Sequence, residues 1–343
     1  MKKNCVMALL SIGAISAGLL SGCSGGNNSD SAAAAQNGLT ELTFVMANRD
    51  EFMSAIETAM VAEAEPLGYK VVSQDAQYDL SKQIQYIETA VNGGAEAVIC
   101  LPVNAEGTQS LIDAVGDKNL IFVNQPPGDY SELNAENVVY IGSDENLSGY
   151  YQGEWLANYF KEQGKKEAKY LMLQGPLGYA SITKRTEGVL KAMKDNGVTP
   201  IPASAPLVAE CDRPTAQEMI QPLLVAGTKF DCIIANNDAM ALGAIEACKE
   251  AGVTIDFPIV GIDCTADGAK AIENGDLAMT VFQNAAGQGK AAIIAADNLI
   301  HGKSLDFGMD DLGALDDSGE AYSDSIFWIP FEPVTKENVA GYL

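Results

Sequence analysis
Six short segments of this 343-residue chain hold the side chains that could do chemistry, and each follows an apolar run. LTFVM (42–46) leads into Asn48, Arg49, Asp50 and Phe52, and LIFV (120–123) leads into Asn124 and Gln125. KYLMLQ (169–174) is followed by Tyr179, Ser181 and Arg185, and DCIIA (231–235) by Asn236, Asn237 and Asp238. PIVGI (258–262) precedes Asp263, and LAMTVF (277–282) precedes Gln283 and Asn284. A carboxylate only accepts hydrogen bonds, whereas Asn and Gln both donate and accept. That mixture suits a polyhydroxylated ring, since a buried hydroxyl left without a partner costs about 1–3 kcal/mol. An aromatic side chain suits the apolar C–H face of such a ring. Taken singly, each residue has a plainer reading. Asn and Asp after a strand commonly form turns or helix N-caps, and Asp238 reads as the cap of the helix AMALGAIEAC. Phe52 alone reads as core and Arg49 alone as a solvated charge. The functional reading rests on the recurrence of polar groups at one structural position.

That position is defined by the elements around it. From residue 42, β-rich runs alternate with segments of helical period. Met53, Ile56, Met60, Ala64 and Leu67 make one helical face that ends at Gly68. YKVVS, a helix through Ile84 and Val91, EAVICL, a helix near 106–118, NLIFV and VVYIG follow. A second series opens with a helix over 145–163, with Leu147, Tyr151, Trp155 and Tyr159 expected inward. KYLMLQ, a helix over 182–196, a Pro-rich passage, a helix over 214–226, DCIIA, a helix from Asp238 to Ala251, PIVGI, a helix near 266–274, LAMTV and a helix near 285–301 continue it. IFWIPF (326–331) is expected to be a single last strand. Strands that are apolar throughout, rather than alternating, are those covered by helices on both faces. The fold class is therefore α/β with parallel sheets, and the two series predict two lobes with a cleft between them. In such sheets ligands meet the loops after the C-terminal strand ends.

Composition excludes several function classes. With 21 basic against 46 acidic residues the formal charge is -25, which repels polyphosphate backbones, so no nucleic acid is expected as a partner. The single histidine, His301, precludes a His-rich metal site and reads as a helix C-terminus in NLIHGK. No metal or cofactor is expected. Seven cysteines without a CxxC read mainly as small buried hydrophobes and fix no disulfide. A secreted glycosidase would use Asp50 and Asp263 as its carboxylate pair, but the polar groups outnumber what such catalysis requires, and the chain is not expected to be an enzyme.

Lys2 and Lys3 followed by the apolar stretch 5–20 read as a signal peptide over 1–22. Leu20-Ser21-Gly22-Cys23 resembles the lipobox of bacterial lipoproteins, which implies lipidation at Cys23 and anchoring to the membrane. Residues 23–40 are small and polar and read as a flexible linker. The expected location is extracytoplasmic, lipid-anchored to the bacterial cell membrane.

ANRDEFMSAIETA, IIANNDAMALGAIEA, IVGIDCTADGAKAI and LAMTVFQ together resemble periplasmic sugar-binding proteins of the ribose and galactose/glucose type, over about residues 41–343. The resemblance implies the type I periplasmic binding protein fold, two Rossmann-like lobes joined by a three-strand hinge. It implies an N-terminal lobe of 41–143 plus 283–308 and a C-terminal lobe of 144–282 plus 309–343, with crossings near 143–146, 281–284 and 305–325. It implies that Asp50 holds a hydroxyl, that Phe52 stacks on the sugar, and that Asn124, Asn237 and Asp263 bind hydroxyls. Arg185 matches an arginine shared by ribose and galactose binders. Cys-Asp-Arg at 211–213 is more similar to the ribose binders, which brings Cys211 and Arg213 into the candidate set, and Gln283 is also ribose-like. There are departures: Tyr179 and Ser181 stand where galactose binders carry His and Asp, and Cys211 replaces a stacking aromatic, leaving Tyr179 as the candidate second ring. The galactose binders' calcium loop has no counterpart at KEQGKKEAKY (161–170), and the acidic stretch 310–325 looks like a solvated insertion. The implied activity is capture of a monosaccharide by a monomer through hinge closure and delivery to an ABC transporter permease. A neutral pyranose such as galactose or glucose is the first expected ligand and ribose the next. A sugar-sensing lipoprotein for a signalling receptor is the alternative.

Overall fold
The computed structural model describes residues 38–134 and 137–343. The signal peptide, Cys23 and most of the linker lie outside these residues. The first series folds as β1 (Thr40–Met46), α1 (Glu51–Ala64), β2 (Tyr69–Asp75), α2 (Leu80–Asn92), β3 (Ala97–Cys100), α3 (Thr108–Val115), β4 (Asn119–Val123) and β5 (Val138–Gly142). The chain then builds the second series: α4 (Glu145–Glu162), β6 (Glu167–Gln174), α5 (Ala180–Asp195), β7 (Thr199–Pro202), β8 (Leu207–Val208), α6 (Arg213–Val225), β9 (Cys232–Ala235), α7 (Asp238–Glu250), β10 (Ile259–Val260), α8 (Ala266–Asn274) and β11 (Met279–Gln283). Helix α9 (Ala285–Ile300) returns to pack on α1, where the Gly289 position lies close against the Ile56 carbonyl. Strands β12 (Ala314–Leu315), β13 (Ile326–Trp328) and β14 (Phe331–Thr335) complete the chain.

The strands form two sheets, ordered β12-β13-β5-β4-β3-β1-β2 and β14-β11-β10-β9-β6-β7, with β8 beside β6. Pairing is parallel except where β12 meets β13 and β14 meets β11. This is the expected α/β fold of two lobes. Phe44, Ile99, Phe122 and Ile141 in the first sheet, and Leu171, Ile233 and Val260 in the second, are fully buried, as apolar strands sandwiched by helices must be. In each sheet one early strand, β1 or β6, has neighbours reached by crossovers in opposite directions. The loops after such strands diverge and leave a crevice at the C-terminal strand ends.

The structure corrects several expectations. Trp328 ends a strand in the first sheet, Phe331 begins one in the second, and Ile329-Pro330 runs between them, so IFWIPF is not one strand. Proline has no N–H to continue a ladder, and the switch falls there. The third crossing therefore lies at 329–330 rather than within 305–325, and β12 and β13, assigned by sequence to the C-terminal lobe, pair in the first sheet. The Pro-rich passage holds β7 and β8; β7 is an edge strand, where proline is tolerated. The acidic stretch 310–325, largely exposed, still contributes β12, and Asp316 accepts a 2.8 Å bond from the Trp328 indole.

A further correction concerns α4. Its buried face is Ser148, Gly149, Gln152, Gly153, Leu156, Ala157 and Phe160, not the stripe through Leu147, Tyr151, Trp155 and Tyr159. Leu147 is exposed, and Trp155 stacks on Tyr159 at 5.4 Å along the half-buried flank. Close approach to α5 selects the small face. A Cβ at Gly149 would sit 2.2 Å from the Arg185 carbonyl oxygen, and one at Gly153 2.3 Å from that of Val189. Aromatic side chains there would hold the two helices apart.

Candidate functional site
Strand ends lead into helix starts in this fold, and three of the helix N-cap residues, Asp50, Tyr179 and Asn237, also line the crevice. Asp50 accepts from the Met53 amide at 2.7 Å and caps α1, and Asn237 accepts from the Met240 amide at 3.0 Å and caps α7. The plain reading of these two residues thus holds, and because capping engages a single side-chain oxygen in each, the second carboxylate oxygen of Asp50 and the amide nitrogen of Asn237 take no part in it. Asp238, expected to be the α7 cap, is instead the first helical residue.

The crevice opens to solvent, and about 460 Å³ in and at the mouth of it is free of protein atoms. Asn48, Asp50, Phe52, Asn124 and Gln125 line it from the first lobe; Tyr179, Ser181, Arg185, Cys211, Asn237, Asp263 and Gln283 line it from the second. Five of the residues offered by the sequence are not in this lining: Asn236, Asp238 and Asn284, the last of which caps α9, and two arginines. Arg49 turns outward and pairs with Glu57, and Arg213, the first residue of α6, pairs with Glu246 and Asp267. Each has carboxylates within reach on its own surface, so neither guanidinium is drawn toward the crevice. Sequence reasoning missed the apolar wall of Met53, Leu101 and Ile182. It also missed Glu145, although Glu145 follows β5 at the very position scanned elsewhere.

Glu145 organises the second lobe's half of the site. Its carboxylate takes Arg185 Nε at 2.7 Å and Nη2 at 2.8 Å, a bidentate pair, and Gln283 Nε2 at 3.0 Å. Arg185 also donates to the Asn236 carbonyl at 2.8 Å and to Gln283 Oε1 at 3.1 Å. Burial works against the guanidinium charge, but Glu145 and then Asp263 outweigh it and hold Arg185 more firmly protonated than usual. On the first-lobe side, Asn124 Nδ2 donates to Gln288 at 3.1 Å and the Asn124 carbonyl accepts from the buried Tyr140 hydroxyl at 2.8 Å. Contacts bridge the lobes: Gln125 Nε2 donates to Ser181 Oγ at 2.6 Å, and Lys184 Nζ donates to the Tyr130 hydroxyl at 3.1 Å. Tyr78 lies 6.3 Å, centroid to centroid, from Tyr179.

Three crevice residues, Asn124, Cys211 and Asp263, have positive φ (65, 59 and 115°) without being glycine. Backbone strain of this kind concentrates where side chains must be aimed at a ligand. Burial pushes the Asp263 carboxyl well above the usual carboxylate range, with Arg185 opposing it. Burial likewise raises Asp50, against the pull of the Met53 amide. The Cys211 thiol is pushed up by burial and stays a thiol, unsuited to act as a nucleophile. The hydroxyl of Tyr179, a residue only 8% exposed, has no hydrogen-bond partner. Cys100, Cys232, Cys248 and Cys264 are free and buried, as read from the sequence.

Beneath the crevice, Asp238 accepts from Thr280 Oγ1 at 2.6 Å and from the Thr265 amide at 2.9 Å, and so braces the turn that carries Asp263. Burial raises its carboxyl from an ordinary 3.8 to about 7, although the Thr280 and Thr265 bonds pull it down. A raised folded value means the folded chain keeps a proton that the unfolded chain releases. The group's stabilising contribution is complete below about pH 4 and is lost as pH climbs through about 7. Melting temperature should fall over that interval, and Asp238→Asn should flatten the slope between pH 5 and 7. An unchanged slope in scanning calorimetry would remove Asp238 as its source.

Comparison with known proteins follows from this geometry. Residues 42–304 match a family model described as a periplasmic binding protein domain. A putative rhizopine-binding protein of Rhizobium meliloti is 31% identical over 297 residues, covering 85% of this chain and 89% of that protein. The ribose import binding protein of Escherichia coli K12 is 29% identical over 74% of this chain and 82% of its own. Among solved structures, an ABC transporter solute binding protein from Bacillus halodurans with bound myo-inositol superposes with a TM-score of 0.73 at 28% identity, covering 90% of this chain and 99% of that one.

Proposed function
We propose, for a chain that belongs to the periplasmic binding protein family, the role of an extracytoplasmic solute-binding component of an ABC importer. It captures a monosaccharide or similarly sized cyclic polyol, galactose/glucose-like or ribose-like, and delivers it to a membrane permease. The observation that carries this reading is the convergence of acid, amide, hydroxyl and guanidinium groups from both lobes on one hollow, with the Tyr179 hydroxyl buried there and unpartnered. Ligand bridging Asp50, Phe52 and Asn124 on one lobe to Arg185, Asn237 and Asp263 on the other favours the closed arrangement, by as much as its affinity for that arrangement exceeds its affinity for the open one. The relatives are binding proteins, in keeping with a chain that binds its solute without turning it over. Lipid anchoring at Cys23 and a monomeric state belong to the same proposal.

A thermal-shift screen of the mature chain over hexoses, pentoses, inositols and furanose compounds tests this reading. A true ligand at a hundredfold excess over Kd should stabilise the fold by about 2.7 kcal/mol. Failure of every monosaccharide and cyclitol to raise the melting temperature would overturn it.

A further inference from the structure
Two pairs of consecutive residues hold a left-handed backbone without glycine, and they belong to opposite lobes. Gln77 and Tyr78 (φ 55 and 61°) lie in the turn between β2 and α2, and Glu210 and Cys211 (φ 55 and 59°) precede α6. A bulky side chain in this conformation is an outlier. The first turn is fixed in that shape. Gln77 N donates to Asp75 Oδ1 at 2.8 Å, Tyr78 N to the Ala47 carbonyl at 2.7 Å, and Asp79 N to that of Ala76 at 3.0 Å. Glycine would make the same backbone bonds without the steric cost, so the backbone gives no reason for a tyrosine at 78. The ring does. It lies 6.3 Å from the ring of Tyr179 at an angle of 44°, within the range of aromatic pairs in contact. Tyr179 lines the crevice, whereas Tyr78 is 43% exposed and so stands on its rim. Burial, and then the nearby Cys211, Asp50 and Glu210, push the Tyr78 hydroxyl up, so the ring meets its partner as a neutral phenol. The same second-lobe loop touches the first lobe again. Ala105 N donates to the Gly178 carbonyl at 3.3 Å, and Tyr179 packs among the core residues of the first lobe.

From this placement we infer that Tyr78 is a positioning residue of solute capture, whose ring clasps Tyr179 across the mouth of the crevice and slows release of the bound solute. A solute leaves only when the lobes part, and parting them separates the two rings. Tyr78 lies outside the lining, so it holds the lobes together without choosing among solutes. It therefore acts on dissociation, where most affinity differences between related complexes arise. The strained turn at 77–78 persists because it aims this ring, in keeping with the concentration of such strain at functional sites. The inference rests on the solute-capture role proposed above and adds a kinetic element to it.

Stopped-flow fluorescence of the mature chain with galactose, glucose, ribose and myo-inositol tests it, since it reads association and dissociation separately. Trp328, beside the crossing at 329–330, is placed to report closure. Tyr78→Gly should release whichever of these compounds binds about three- to tenfold faster than the unaltered chain does, with association little changed. Tyr78→Phe keeps the ring and should dissociate at the unaltered rate. Without solute, the melting temperature of Tyr78→Gly should hold, because glycine suits φ 61°. Tyr78→Asn, which also tolerates that conformation, serves where the glycine variant does not fold. A merely structural role would lower the melting temperature and leave dissociation unmoved. An unchanged dissociation rate in the variants that lack the ring, or a Tyr78→Phe chain as fast as Tyr78→Gly, overturns the inference and leaves the capture role standing. Absence of binding by all four compounds to the unaltered chain overturns both.

Discussion

Replacing Arg185 with methionine should lower the stability of the folded chain by about 3–5 kcal/mol, the cost of leaving a buried charge without its partner. The Glu145 side chain is 1% exposed and that of Arg185 7%. Removing the guanidinium strands the Glu145 carboxylate and withdraws donors from the Asn236 carbonyl and Gln283 Oε1. Chemical denaturation should show a lower midpoint. The double variant Arg185→Met with Glu145→Gln should recover part of the loss, since it leaves no charge unpaired, and the cycle isolates the pair. A double variant no more stable than Arg185→Met alone would show that the loss comes from packing rather than from the stranded carboxylate.

Asp263→Ala should weaken ligand binding by about 2–4 kcal/mol, or roughly 30- to 1,000-fold in Kd. The substitution removes an acceptor from the hollow and a negative neighbour from Arg185. It also places alanine at φ 115°, a conformation that side chains rarely adopt. Asp263→Asn is the companion variant, because it keeps the shape and changes the charge alone. Calorimetry that finds undiminished affinity in the alanine variant would remove Asp263 from the site.

The alternation of apolar runs and helical periods was enough to infer two parallel-sheet lobes, because the runs are short, apolar throughout and set off by turn residues, as strands buried on both faces are. Scanning the residues after each run found eleven of the crevice's side chains, since the parallel strands scanned all end on one side, and the family resemblance added Cys211. What failed did so for physical reasons. Arg49 follows a strand end in the sequence and Arg213 came from the resemblance to ribose binders, but each is held at the surface by a carboxylate on a neighbouring helix turn or helix, a pairing that spacing alone does not display. Glu145 was overlooked because the segment after VVYIG was not scanned, and its acidic pair reads as an ordinary helix start. The inward face of α4 was misjudged because hydrophobicity marks burial only where there is room for a side chain. Gly149 and Gly153 face inward because there is none.

That glycine seam has a further consequence. Helix α4 begins at the crossing out of the first lobe, and its Gly149 abuts the backbone of the residue whose guanidinium reaches the crevice. The pivot and the gripping arm of the second lobe are therefore a single rigid casting. A small change in the tilt of the linker would swing Arg185 and Ser181 together as a lever. Evolution could then tune the tightness of grip from the fulcrum, leaving the fingers that recognise the solute unaltered.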